Sequence, residues 1–279
     1  MNIQQQVDHL IDTRPGKELL TAVYDDPAHP VVDGLAYRSG GNTAAYLLLT
    51  DSGRVIVNTG MGYEAPHHKR VFDAIRPGPT LLIITTQAHV DHVGGVDLFR
   101  EPGTTYIAQA NNPACQADDK RIQGLRMRTA GIWFDLLATD AKRIYKENPG
   151  VSMAQAEPTP DITFDRRLGL TVDGLRIELL AAVGETTDCC VVWLPEHRVA
   201  LVSNLFGPLF PHFPNLNTIR GDKYRFVEPQ LATNRMVREL RPEVLITGRH
   251  DPIVGADLIE ASLERLHDAV THVHDRTLE

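Results

Sequence analysis

Cysteine is scarce in this chain of 279 residues: there are three, Cys115, Cys189 and Cys190. An odd number, with two adjacent in the apolar run Cys189-Cys190-Val191-Val192-Trp193, excludes a disulfide framework and reads as part of a buried strand. Long hydrophobic runs are also missing. No stretch approaches the roughly 20 apolar residues that cross a bilayer, and the residues after Met1 (Asn2, Gln4, Gln5, Gln6, Asp8) lack the basic start and apolar stretch of a secretory signal. Basic residues are in deficit, 28 Lys and Arg against 36 Asp and Glu for a formal net charge of −8, which excludes broad contact with a phosphate backbone. The expectation is a cytoplasmic protein with neither membrane nor nucleic acid as partner, for which a homo-oligomer remains compatible. Repeats, low-complexity tracts and linkers are absent as well, so residues 1–279 are read as one domain.

What is present is a β-rich opening. Thr43 to Thr50 and Arg54 to Asn58 flank the turn-forming Asp51-Ser52-Gly53 and predict a hairpin. Glu64 to Ile75 has helical spacing, and Thr80 to Thr85 is a short apolar run suited to a buried strand. Thr105 to Ala108 is a further strand. Leu125 to Asn148 carries Ile132, Leu136, Leu137 and Ile144 among many charges and predicts a helical insertion, around 110–150 in full extent. Strands follow at Ile162 to Phe164, Leu170 to Val172, Leu175 to Leu180, Asp188 to Leu194 and Val199 to Ser203. Val227 to Leu240 is helical, Val244 to Thr247 a strand, and Ala256 to His274 a closing helix. The order predicts an α/β fold of two mainly antiparallel sheets packed together under outer helices.

The chemistry concentrates directly after one of the buried strands, in Thr86-Gln87-Ala88-His89-Val90-Asp91-His92-Val93-Gly94-Gly95. A carboxylate and two imidazoles on a loop held by a rigid strand end supply hard oxygen and borderline-soft nitrogen donors, which suit Zn²⁺ first and Fe or Mn next. His67 and His68 do not extend this set: neighbours on a helix point about 100° apart, and both are expected at the surface.

This segment resembles the metallo-β-lactamase superfamily, whose motif His-x-His-x-Asp-His follows a strand. Asn58-Thr59-Gly60 stands where that family has Asp-Thr-Gly, and Gly248-Arg249-His250-Asp251-Pro252 where a final ligand His follows a strand. The resemblance implies a four-layer αββα sandwich binding one or two divalent metal ions. It assigns Gln87, His89 and Glu185 to a first metal position, Asp91, His92 and His250 to a second, and Asn204 to the place of the bridging carboxylate. Glu185, in Ala182-Val183-Gly184-Glu185-Thr186, occupies a place usually held by His, as in the alkylsulfatase branch and a diiron oxygenase branch. Asn215-Leu216-Asn217-Thr218-Ile219-Arg220-Gly221 is similar to the alkylsulfatase segment Asn-Leu-Tyr-Thr-Leu-Arg-Gly, in which Asn and Arg hold the sulfate. A guanidinium fork and a side-chain amide suit a tetrahedral oxyanion, and Asn215 and Arg220 are assigned that role.

Three departures weaken this pattern. Gln87 replaces the first motif His, Asn58 an outer Asp, and Asn204 the bridging carboxylate. With Asp91 and Glu185 as the anionic ligands, two divalent ions would leave a formal surplus of two positive charges. The second position is therefore expected to be the stronger. The function implied is metal-dependent hydrolysis of a small-molecule substrate, a sulfate or related ester with an apolar group, in which Asp91 orients a metal-activated water and Arg220 stabilises the leaving oxyanion. Trp133, Phe134, Leu136 and Leu137 of the insertion would either cover the apolar part of that substrate or pack a helix onto the core. The alternatives are a diiron oxygenase, against which the loss of a bridging carboxylate at Asn204 counts, and a degraded homologue that only binds a metal or a ligand.

Overall fold

Strands that are buried on both faces decide this architecture. In β3 (Ala45–Leu49), β4 (Arg54–Val57), β5 (Thr80–Ile84) and β6 (Thr105–Gln109), alternate residues pack in opposite directions. Tyr46, Leu48, Val55, Val57, Leu82, Ile84 and Ile107 share one apolar cluster, and Leu47, Ile56, Ile83, Tyr106 and Ala108 another. A strand reading apolar at every position needs a layer on each side. The computed structural model, which describes residues 1–22, 27–147, 149–150, 156–216, 223 and 225–279, supplies both layers.

With β1 (His29–Val32), β2 (Ala36–Ser39) and β7 (Ile162–Phe164), these strands form a seven-stranded sheet in sequential order β1 to β7. A second sheet has the order β13-β12-β11-β10-β9-β8, from β8 (Arg167–Val172), β9 (Leu175–Ala181), β10 (Cys190–Leu194), β11 (Val199–Ser203), β12 (Val244–Thr247) and β13 (Ile253–Val254). The inner cluster joins the sheets, setting Ile177, Leu179, Val192, Leu194, Leu201 and Ile246 against the inward residues of the first.

Helices close the outside. Against the first sheet lie α2 (Ala65–Ile75), α3 (Val90–Val93) and α4 (Val96–Phe99), through Val71, Phe72, Val93, Val96 and Phe99. Against the second lie α7 (Val227–Glu239) and α8 (Ala256–Leu278), joined by Leu10 of α1 (Ile3–Thr13). The layers are therefore αββα, and the fold is that of the metallo-β-lactamase class. Two more helices, α5 (Asn112–Trp133) and α6 (Asp135–Glu147), fill the chain between β6 and β7 where the helical insertion was expected.

Helix α1 and strands β1 and β2 had no counterpart in the sequence reading, and neither had the short α3, α4 and β13. Helix α1 begins with a reciprocal cap, the Asn2 side chain accepting from the Gln5 amide at 2.9 Å while Gln5 accepts from the Asn2 amide at 2.9 Å. Strands β1 and β2 pair antiparallel at the sheet edge. The expectation of mainly antiparallel sheets holds for the second sheet, whose one parallel pair is β11 with β12. In the first, β4 to β7 run parallel, because α2, the α3–α4 segment and the α5–α6 pair each supply a crossover. Among the described residues no helix is long and apolar enough to cross a membrane.

Candidate functional site

Two strand ends, one from each sheet, meet where the motif begins. After β4 the chain turns at Asn58 (φ 58°), and β11 finishes at Ser203 (φ 47°). Both are non-glycine residues in the left-handed region, a conformation that persists when surrounding contacts over-determine it. Here the Asn58 amide donates to Ser203 Oγ at 3.2 Å, and its carbonyl accepts from the Thr86 amide at 2.9 Å and from Thr86 Oγ1 at 3.1 Å. Asn58 thus ties the two sheets to the first residue of the motif. The loop is pinned again where Thr59 donates to the His92 carbonyl through both its amide and its hydroxyl. Gly95 packs so closely there that a Cβ would lie 2.4 Å from Ala65 Cβ and 2.6 Å from Thr59 O, which accounts for the second glycine at the end of the motif.

Gln87, His89 and Glu185 form one cluster. Gln87 Nε2 lies 2.9 Å from His89 Nδ1 and donates to Glu185 Oε2 at 3.1 Å, and its amide oxygen accepts from Cys189 Sγ at 3.3 Å. Glu185 Oε1 is 3.2 Å from Nη1 of Arg225, a guanidinium only 4% exposed. Arg225 also donates to the Asn215 carbonyl at 2.5 Å. Burial pushes the Glu185 carboxyl up, but Arg225, His89 and Gln87 outweigh it and hold the pKa far below the ordinary range. For His89 burial acts downward, yet Glu185 and the charge of Asp119 on α5 raise it overall.

Asp91, His92 and Asn204 form a second cluster around Thr43. Thr43 Oγ1 donates to Asp91 Oδ2 and accepts from Asn204 Nδ2 at 3.2 Å. Asn204 Nδ2 also lies 3.3 Å from His92 Nε2, and His92 Nε2 is 3.9 Å from Asp91 Oδ2. On the other side of the ring, Thr86 Oγ1 is spent donating to Asn58, so at 3.2 Å it accepts from His92 Nδ1–H. The tautomer follows: Nε2 carries a lone pair and faces Asp91 and Asn204. Burial lowers the His92 pKa to about 4, against the opposing charge of Asp91, which keeps the ring neutral. Burial alone would raise the Asp91 carboxyl, but His92, His89, Thr43 and Arg249 bring it below its usual value. Asn204 Oδ1 is buried without a partner and lies where a Cβ on Gly248 would come within 1.8 Å.

His250 stands apart from both groups. Its Nε2 is buried and unpartnered, its ring centroid is 6.1 Å from that of His212, and burial, then the charges of Arg14 and His212, lower its pKa to about 4. The neighbouring Arg249 donates to the Leu19 and Gly41 carbonyls and to Asn42 Oδ1, tying the strand end to the 40–43 turn. Asn215 is exposed. Arg220 and Asn217 lie outside the described residues. Of the insertion's apolar residues, Leu137 and Ile144 are buried against Ala22 and Tyr63 with Phe134 beside them, whereas Leu136 is 40% exposed.

His68 corrects the sequence expectation. It is fully buried, its Nδ1 2.7 Å from Ser39 Oγ and its Nε2 without a partner, and burial with the charge of His67 lowers it to about 3. It lies on the face of α2 that also carries the buried Glu64, Val71 and Phe72, at the spacing that puts positions four apart on one side of a helix. Glu64 accepts from the Asn42 amide at 2.7 Å and the Met61 amide at 2.9 Å, and burial raises it to about 7 against those two bonds.

Sequence reasoning missed Thr43, Arg225, Cys189 and the Glu64–Asn42–Arg249 anchor. Thr43 and Cys189 sit in sequence that reads as ordinary strand, and Arg225 falls four residues beyond the segment that had drawn attention. No local pattern separates them from their neighbours.

The fit of this donor set to a metal divides. Among the described residues, no three His, Cys, Asp or Glu side chains converge closely enough to hold an ion. At the first position both Glu185 oxygens and the Gln87 amide oxygen are engaged by other protein groups. At the second, a ring of fixed tautomer and a carboxylate stand side by side, with an unpartnered amide oxygen on the adjoining Asn204 and an unpartnered imidazole nitrogen on His250. That pairing supplies two donors side by side, and His250, whose nitrogen is free, stands apart from them.

Comparison with known proteins agrees with this fold. Residues 38–250 match the Metallo-beta-lactamase superfamily. A linear primary-alkylsulfatase from Pseudomonas sp. is 26% identical over 238 residues, covering 81% of this chain and 45% of that protein. The fold of a stereoselective inverting sec-alkylsulfatase from Pseudomonas sp. superposes with a TM-score of 0.73 at 17% identity, covering 98% of this chain and 47% of that one. A metallo-beta-lactamase family protein from Thermus thermophilus gives 0.59 at 17% identity, over 88% and 78% of the two chains. This chain spans less than half the length of the alkylsulfatases it matches. The match from 38 to 250 runs from β2 to His250 and contains both clusters, and the chain belongs to the metallo-β-lactamase superfamily.

Proposed function

We propose that this protein is a metal-dependent hydrolase that cleaves sulfate or related esters of small molecules bearing an apolar group. The observation that carries the reading is the state of His92: Nδ1–H is committed to Thr86, and the Nε2 lone pair is buried at the junction of the two sheets, 3.9 Å from Asp91 Oδ2 and 3.3 Å from Asn204 Nδ2. Ligating imidazoles are prepared in this way by an outer hydrogen bond. A divalent ion held by Asp91, His92 and His250, zinc first with iron or manganese as alternatives, would supply Lewis acidity and an activated water.

The protein's own part is positioning. Thr43 fixes the Asp91 carboxylate, leaving it to orient the attacking water. Asn215 and Arg220 are the proposed anion-binding pair, and the relationship to alkylsulfatases supports sulfate as the anion. A net charge of −8 suits neither nucleic acid nor an anionic membrane surface as partner. Three free thiols, two of them buried, support a reducing, cytoplasmic setting.

The test is turnover of a panel of alkyl sulfates, phosphate and carboxylic esters and lactones by chelated protein reloaded with zinc, iron or manganese. Alkyl sulfates are expected to be turned over, with activity lost on chelation and in His92→Ala. Activity that survives both treatments, or none on any ester with any metal, ends the reading.

A further inference from the structure

Arg225 is buried, fixed and unexplained by the roles given so far. From its place in the first cluster we infer that its guanidinium stands in for a cation there, so that Gln87, His89 and Glu185 hold an internal positive charge instead of a metal ion.

Both carboxylate oxygens of Glu185 and both polar atoms of the Gln87 amide are already used. Glu185 Oε1 takes Arg225 Nη1 at 3.2 Å, and Oε2 takes Gln87 Nε2 at 3.1 Å with His89 Nδ1 3.6 Å away. Gln87 turns its NH₂ group towards Glu185 and His89, and its oxygen, the one atom able to ligate a metal, faces Cys189. An amide NH₂ in that place favours anions and repels cations. Formal charge points the same way: the single negative charge of Glu185 is matched by Arg225, and a divalent ion would add two positive charges with no carboxylate left for them. Gln87 then ceases to be an isolated loss: where a His would support a metal, a neutral amide suits a site whose cation is a side chain.

This assignment rests on the proposed function only in taking the second position as the place of any bound ion. The experiment measures zinc on the purified full chain by elemental mass spectrometry and by calorimetric titration of chelated protein, for the natural sequence and for Glu185→Gln. At most one zinc per chain is expected in the natural protein, and Glu185→Gln should change its Kd by less than about fivefold, below the 10- to 100-fold typical of disturbing even an outer group of a metal site. Two tightly held ions, or a larger loss of affinity in Glu185→Gln, overturn the assignment while leaving metal-dependent hydrolysis intact. No bound zinc and no ester turnover would end the hydrolase reading and leave Arg225 where it is placed. If Glu185→Gln does not fold, the stoichiometry of the natural protein decides alone, two ions against and one or none in favour.

Discussion

The two clusters at the sheet junction lie on the same loop yet have been left in opposite states. Around Glu185 both carboxylate oxygens and the Gln87 amide are answered by neighbours, and the carboxylate is charge-paired. Around Asp91, by contrast, an amide oxygen of Asn204 is buried with nothing to bind, and the His250 nitrogen is in the same condition. Leaving a buried polar atom unsatisfied costs about 1–3 kcal/mol. The unanswered atom at the Asp91 cluster is an acceptor, whereas the one at the Glu185 cluster, Arg225 Nε, is a donor, so the first is suited to receive a cation and the second is not.

The comparison breaks most visibly at His92. Replacing it with Ala removes the prepared Nε2, and zinc affinity should fall by roughly 100-fold or more, above the loss seen for outer groups. Equilibrium titration checks this, with the circular dichroism of the folded protein unchanged. If affinity is unaltered, the Asp91 cluster is not the receptive one.

Arg225→Leu attacks the other cluster, and there the loss should be one of stability. It strands Glu185, which is only 10% exposed, as an unpaired buried charge, and breaking a buried pair from one side costs about 3–5 kcal/mol. Urea unfolding should show that loss, largely recovered when Glu185→Leu is added. Equal stability of Arg225→Leu and the natural protein would mean the ion pair is not closed.

How far the sequence foretold this contrast follows from the kind of information each part needs. His89, Asp91 and His92 stood out because the ligating types crowd into four positions after a buried strand, and the αββα layers because the motif resembles that of the metallo-β-lactamases and the element order gives two sheets under outer helices. The sign of the charge at the first cluster was not legible. Arg225 lies 40 positions beyond Glu185 in a segment with no periodicity, and only the fold brings them together. His68 was misjudged for a related reason: two adjacent histidines suggest solvent, but the apolar side of α2 includes one of them and not the other.

Glu64 tests what supports the receptive cluster, since it holds the Asn42 amide next to Thr43. Its folded pKa of about 7 exceeds the unfolded carboxyl value of 4.5, so between those limits the folded protein binds the proton more tightly. Stability from this group is present below pH 4.5 and is lost as pH rises through 7, at most about 1.4 kcal/mol per pH unit and roughly 3 kcal/mol in all. His68, lowered to about 3, acts oppositely and loses stability as pH falls below 6.5. The two slopes overlap between 4.5 and 6.5, so the difference between natural protein and Glu64→Gln isolates the carboxyl. That variant should gain stability relative to the natural protein as pH rises from 5 to 8; a flat difference would show that Glu64 is not held protonated.

The smallest effect should come from the wall between the clusters and the strand that leads to His250. Gly248 leaves no room for a side chain, because its Cβ would sit 1.8 Å from Asn204 Oδ1 and 3.3 Å from the Ser203 carbonyl carbon. Gly248→Ala must displace the Asn204 amide, an overpacking cost of about 1–3 kcal/mol. Displacing Asn204 also takes its NH₂ from Thr43 and His92, so zinc binding should weaken along with stability. Pairing it with Asn204→Ala opens the space that the new methyl needs, and the double variant should then be more stable than the two single losses added together. Strict additivity would place the Asn204 amide elsewhere and remove the unsatisfied oxygen on which the contrast between the clusters depends.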